Sequence, residues 1–266
     1  MKNLIKTLNY QTRRDNITYY AYIAALAGLL LGCYTEDGII LNLTGSEYFI
    51  QTAGGCGCIS IIFYFSIIIT RICGWDYSDK TINFQILGGH SRNNVFWSRI
   101  WVSFIRSVPV GIVLYIFPPV FLTLKNGWGI NADIYGIIFR CFLAFLIILR
   151  IYSECVLFTF LTKSCYTGLV ISGMSLFLSN QIVSFITMMK EHAELSKLGI
   201  ISSMSNLFEV MNFHDYDFQY INGVDERIYN SEIDSGYAAL TITVSVLICI
   251  VSIFFSWCNF KKTDMK

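Results

Sequence analysis

Charge is what this sequence lacks most: Asp, Glu, Lys and Arg make up only 14% of the 266 residues, against 55% hydrophobic residues and a mean hydropathy of +0.56. A soluble domain of that length could not bury so much apolar surface in one core, so the composition excludes a soluble globular protein and predicts an integral membrane protein. The formal net charge is +1, and no basic excess points to nucleic acid. A disulfide or metal framework is missing too. The nine cysteines lie inside apolar runs or at their ends, and Cys56-Gly57-Cys58 lacks the two-residue gap of zinc and redox motifs, which leaves small-residue helix packing as the better reading. His90, His192 and His214 are the only histidines; all fall in polar loops and read as solvated surface residues.

Catalytic signatures are also absent. There is no G-x-x-x-x-G-K-[ST] loop to cradle nucleotide phosphates, no H-E-x-x-H helix and no G-x-S-x-G elbow; Gly89-His90-Ser91-Arg92-Asn93 misses the elbow's final glycine. The sequence therefore predicts no enzyme and no cofactor or metal in this chain, and any ATP hydrolysis belongs to a separate subunit. No repeat, low-complexity segment or linker divides residues 1–266, so one transmembrane domain is expected.

What is present is a series of long apolar runs. Before them, Met1 to Asn16 alternates Lys2, Lys6, Arg13 and Arg14 with Leu4, Ile5, Leu8 and Tyr10, the pattern of an interfacial amphipathic helix. It is not a cleaved signal peptide, since the apolar run begins too far in and no small-residue cleavage pattern follows. Spans are expected at about 17–33, 52–73, 100–124, 134–161, 166–188 and 237–258. Gly54, Gly55 and Gly57 open the second and permit close helix approach. Pro109 and Pro118-Pro119 should kink the third or end it early, because each removes a backbone donor and crowds the preceding turn. The polar region 189–236 contains an apolar patch, Leu198 to Met211, too short and Ser-rich to span; a re-entrant or interfacial helical hairpin is expected there.

Charge asymmetry orients the chain. One set of loops holds the N-terminus, Lys80, Arg92 and Arg99, Lys163 and the Lys261-Lys262 tail with Lys266; the other carries Glu36, Asp37 and Glu47 and most of the acidic residues of 189–236. By the positive-inside rule both termini are cytoplasmic in the plasma membrane, 74–99 faces the cytoplasm and 189–236 is extracellular.

The stretch Gly74 to Arg99 is the segment that looks built to meet a soluble partner. Asp76, Ser78 or Asp79 can cap a short helix, Ile82, Phe84, Ile86 and Leu87 supply an apolar side, Gly88-Gly89 ends it, and Ser91-Arg92-Asn93 resembles a second cap. An ordinary interhelical loop seldom combines these features.

Asp76-Tyr77, Thr81-Ile82, Leu87 and Ser91-Arg92 together resemble the acidic-aromatic, Thr-Ile, Leu, Ser-Arg pattern in the first cytoplasmic loop of ABC-2 type transporter permeases, with Lys80 standing where that family often has glycine. The resemblance extends to the layout: an all-α membrane protein with an N-terminal interfacial helix, six transmembrane helices, a cytoplasmic coupling helix between spans 2 and 3, and an extracellular helical hairpin between spans 5 and 6. It implies that Asp76, Tyr77, Thr81, Ile82, Phe84, Leu87, Ser91 and Arg92 dock on cytoplasmic ABC ATPase subunits, and that the chain pairs with a second permease as a homo- or heterodimer. Members export drugs, peptides, lipids or polysaccharides, and small permeases often serve antimicrobial-peptide export or immunity.

The fourth span carries Arg140, Arg150 and Glu154, and a charge at the centre of a bilayer helix costs about 2.5 to 3.5 kcal/mol on insertion scales. Arg150 and Glu154 are one turn apart and can pair, either as a polar lining between subunits or, the better reading, as a structural pair snorkelling toward the cytoplasmic side. Arg140 has no partner in its own helix, which points it to the outer headgroups or across an interface. Met188-Met189, Met204 and Met211 with Phe208 and Phe213 form either an adaptable substrate surface or simple packing. The expected function is the permease subunit of an ATP-driven exporter of an amphipathic or apolar substrate, a peptide among them. The alternative is a non-transporting scaffold or sensor that anchors a cytoplasmic partner.

Overall fold

The computed structural model describes residues 1–32, 34–35, 38–39, 43–50, 58–78, 81–189, 198–213, 216–221 and 224–262. The described chain is mostly helical. It opens with α1 (Lys2–Arg14), whose Leu4, Leu8 and Thr12 are buried while Arg13 and Arg14 stay exposed, as its alternating charges predict. α2 (Asn16–Gly32), α3 (Gly45–Tyr48), α4 (Cys58–Ser78), α5 (Thr81–Leu87), α6 (Arg92–Asn126), α7 (Ile134–Thr162), α8 (Cys165–Met189), α9 (Ser203–Met211) and α10 (Ser235–Lys262) follow. By length and composition, four helices among the described residues are long and apolar enough to cross a membrane: α6, α7, α8 over Cys165–Ile186, and α10.

α7 sits at the centre, packed against α4, α8, α9 and α10. Its Leu143, Ile147 and Ile151 are fully buried, as are Phe65, Ile68 and Ile69 of α4. The polarity of α10 is the reverse of a soluble amphipathic helix. Its buried residues include Thr241, Ser245, Ser252 and Ser256, whereas Leu247, Ile250, Phe254 and Phe255 face outward. Small polar residues at the helix contacts with apolar residues outside are what a bundle surrounded by lipid requires, since lipid tails give no reason to bury leucine.

α6 runs without interruption through Pro109, Pro118 and Pro119. The expected early end of the third run does not occur, because an opened helix end in apolar surroundings would find no water for its carbonyls. The Thr123 hydroxyl donates to the Pro119 carbonyl at 2.7 Å, a second donor to that acceptor within the helix. The glycines Gly54, Gly55 and Gly57 and the acidic Glu36 and Asp37 lie outside the described residues, as do Lys80, Glu191, His192, Glu194 and His214.

The chain is not wholly helical. Among the described residues, two antiparallel strand pairs occur: β1 (Tyr34–Thr35) with β2 (Gly38–Ile39), and β3 (Tyr216–Ile221) with β4 (Val224–Tyr229). The apolar patch at 198–211 forms a 3₁₀ turn and α9, but the segment after it is a β-ribbon instead of the second arm of a helical hairpin. Tyr229 anchors the ribbon's base beside the start of α7, its N–H donating to the Asn131 carbonyl at 2.7 Å.

Candidate coupling site

At the opposite end of the bundle from the ribbon, α4 gives way to α5 and α6. Of the three candidate caps, Asp76 and Ser78 belong to the last turn of α4, and the short helix itself begins at Thr81. Asp79 and Lys80 lie outside the described residues. Asp76 works across the break between the helices: its Oδ1 accepts from the Thr81 hydroxyl at 2.7 Å and its Oδ2 from Arg99 at 2.5 Å. α5 then closes as a Schellman motif. Gly89 adopts φ +88°, its N–H donates to the Ile86 carbonyl at 3.0 Å, and the His90 N–H donates to the Gln85 carbonyl at 3.2 Å. The Ser91 hydroxyl accepts from the Asn94 N–H at 3.3 Å and caps α6.

Arg99 holds this assembly together. The side chain is fully buried; one Nη2 reaches both Asp76 on α4 and Gln85 on α5, the latter at 3.0 Å, while Nη1 donates to the Val95 carbonyl at 3.1 Å. Three helices are thereby tied through one guanidinium, whose planar fork suits several acceptors at once. The sequence grouped Arg99 with the exposed basic residues of a loop, and nothing in a spacing of 23 residues announces its pairing with Asp76.

The faces of α5 divide sharply. Ile82 is 2% exposed and belongs to the protein's own core, whereas Phe84 is 71% and Leu87 81% exposed. These two residues, one turn apart, form an outward apolar face on a helix otherwise tied down. Around its base, Tyr77 stands edge-on to Phe160 and Phe260 with ring centroids 6.1 and 6.2 Å away, and Phe96 packs on both phenylalanines at 5.0 and 5.6 Å. Arg92 donates from Nη1 to the Lys261 carbonyl at 2.8 Å. The ends of α4, α6, α7 and α10 thus form one rigid floor under α5.

The charged residues of α7 serve a different purpose. Arg140 finds its partners within the chain: it is 6% exposed and donates to the carbonyls of Val210 (2.7 Å), Asn212 (3.0 Å), Ser231 (2.9 Å) and Glu232 (3.2 Å). Its guanidinium also lies 4.3 Å from the centre of the Phe213 ring. Arg150 pairs with Glu154 at 2.9 Å, and it does not snorkel, being 1% exposed. It donates to the Ile200 carbonyl at 2.7 Å and to the Ile201 carbonyl, while Glu154 accepts from the Ser203 hydroxyl at 2.6 Å. Arg150 lies roughly 24 Å along α7 from its start at about 1.5 Å per residue, so the 198–203 segment reaches deep into the bundle. Both arginines satisfy backbone carbonyls of the segments packed against α7. Met204 and Met211 are buried in the same packing. Among the described residues, no cluster of three His, Cys, Asp or Glu is placed to hold a metal.

Comparison with known proteins adds no relative: no family model, no curated protein and no solved structure matches this chain.

Proposed function

We propose that this chain is the membrane-spanning permease subunit of an ATP-driven exporter of the ABC-2 type. α5 is the coupling element, docking on a cytoplasmic ABC ATPase, and the working unit contains a second permease, identical or homologous. In this reading α2, α4, α6, α7, α8 and α10 are the six spans, both termini and α5 are cytoplasmic, and α9 with the β-ribbon is extracellular. The substrate is amphipathic or apolar, a peptide being the foremost example, and ATP is bound and hydrolysed by the partner alone.

One observation carries the reading: a seven-residue helix that exposes Phe84 and Leu87 is tied through buried Arg99 to two long helices. An ATPase moves a membrane subunit only through a contact that differs between its nucleotide states, and only a rigid protrusion passes that difference on. A flexible loop would absorb it. Affinity purification in mild detergent, followed by identification of the co-purifying chains, tests the proposal. An ATPase at near-equal stoichiometry, its hydrolysis stimulated by substrate, supports it; a partner without a nucleotide-binding motif favours a scaffold or sensor instead.

A further inference from the structure

The β-ribbon carries an aromatic face that the bundle does not cover. Its register sets Tyr216 opposite Tyr229 and Phe218 opposite Arg227, so alternation puts Tyr216, Phe218, Tyr220, Arg227 and Tyr229 on one face. From the bundle outward the rings follow one another. Phe213, beneath the Arg140 guanidinium, meets Tyr229 at 6.4 Å, Tyr229 meets Tyr216 at 5.5 Å, and Tyr216 meets Phe218 at 5.4 Å. Exposure rises along the row, from 43% at Tyr216 to 75% at Tyr220. Arg227 is exposed beside it, its guanidinium 5.2 and 5.7 Å from the Tyr216 and Phe218 ring centres.

The base of the ribbon is stitched to the residues that lead into α7. The Tyr229 N–H donates to the Asn131 carbonyl at 2.7 Å, the Asn131 side chain donates to the Arg227 carbonyl at 3.2 Å, and Asp133 then caps the helix. Ile130, Ile134 and Tyr135, on either side of this join, are all exposed, so the outward apolar surface of α7 reaches the ribbon's base. An upright ribbon would lift Tyr220 about 13 Å beyond Tyr216, four residues at about 3.3 Å each, and leave the row in water.

We propose that the ribbon instead lies on the outer surface of the lipid bilayer, with Phe218 and Tyr220 in the headgroup layer beside Arg227. The inference rests on α7 spanning the membrane and the ribbon being extracellular, as in the function proposed above. Aromatic rings with a polar tip settle at the boundary between acyl chains and headgroups, and a guanidinium is complementary to lipid phosphate. A soluble partner would reach a row at this height only by displacing headgroups. Because the rings run back to Phe213 and Arg140, the seat on lipid is fixed to α7 itself.

The test places a fluorescent amino acid in the full chain at Phe218, Tyr220, Asp217, Ile250 or Phe177, one at a time, in nanodiscs of phosphatidylcholine and phosphatidylglycerol in equal parts. Quenching is read with iodide in the water and with lipids carrying a nitroxide either near the headgroup or deep in the chain. Residues 218 and 220 should lose fluorescence to the shallow nitroxide and keep it in iodide. Asp217, exposed on the other face, should do the reverse. Ile250 of α10 and Phe177 of α8, exposed near the middle of their helices, report the spans and should lose fluorescence to the deep nitroxide. Loss at 218 and 220 to iodide alone, with 250 or 177 quenched by lipid, overturns the seat and leaves the spans standing. Protection of 218 and 220 from every quencher also overturns it, and gives the row to a protein partner or a second copy. No quenching of 250 and 177 by either lipid overturns the membrane-spanning reading, and the seat with it.

Discussion

Arg99→Leu is the change that most directly separates a rigid α5 from a loop. It deletes the donors that reach Asp76, Gln85 and the Val95 carbonyl, leaving the Asp76 carboxylate with the Thr81 hydroxyl alone. Removing one partner of a buried ion pair costs about 3 to 5 kcal/mol. The Asp76 side chain is 14% exposed, so water can partly replace the lost donor, and the lower end, about 3 kcal/mol, applies. α5 has only seven residues, well short of the about 12 to 15 that hold a helix without outside help, so the loss falls on α5 itself. About 3 kcal/mol is on the order of a hundredfold in a local opening equilibrium. Hydrogen exchange of the detergent-solubilised chain should therefore show amides of residues 82–90 exchanging on the order of a hundredfold faster, while α7 and α10 keep their protection. Arg99→Lys should recover only part of the protection, since an ammonium cannot span Asp76 and Gln85 as the fork does. Unchanged exchange over 82–90 in folded Arg99→Leu would refute the pinning role.

Phe84→Asp and Leu87→Asp place charge on an exposed face and should leave folding intact while abolishing co-purification of the ATPase; Ile82→Asp should instead lower the yield of folded protein, because it puts a carboxylate into the core. Persistence of the complex in both exposed variants would count against α5 as the docking element. Arg150→Leu should destabilise more than Glu154→Leu, and the double change should not restore stability, because the buried Ile200 carbonyl still loses its donor at about 1 to 3 kcal/mol. Full recovery in the double variant, read from thermal unfolding in detergent, would show that this carbonyl contact contributes nothing. Arg140→Leu strips the donor from four carbonyls and should open 212–234 to limited proteolysis, with the helices resistant; a cleavage pattern like the parent's would contradict that role.

Hydropathy alone made the long helices legible, since an apolar stretch of that length has few other ways to satisfy its backbone. Local punctuation was legible too: Gly88-Gly89 and Ser91 act where their chemistry predicts, because closure and capping depend on neighbours within a few residues. The failures involve distance. Asp76 reads as a cap by its position before a helix, but its strongest partner is a guanidinium on another helix. Arg140 looked unpaired because its acceptors are backbone carbonyls 70 to 92 residues away, and a carbonyl leaves no mark in sequence. The β-ribbon is different, since Asn222-Gly223 is a recognised hairpin signal that the neighbouring helical patch overshadowed. The prolines of α6 mislead because helix-breaking rules are calibrated in water.

The central claim is that α5 is the contact through which an ATPase drives this protein. A photoreactive amino acid in place of Leu87, introduced into the full chain in its native cells, tests it most directly. The account predicts a cross-link to a nucleotide-binding ATPase whose yield changes when ATP is added to the isolated membranes. A cross-link to a chain that binds no nucleotide, or an ATPase that co-purifies yet never cross-links from residue 87 or 84, would contradict it.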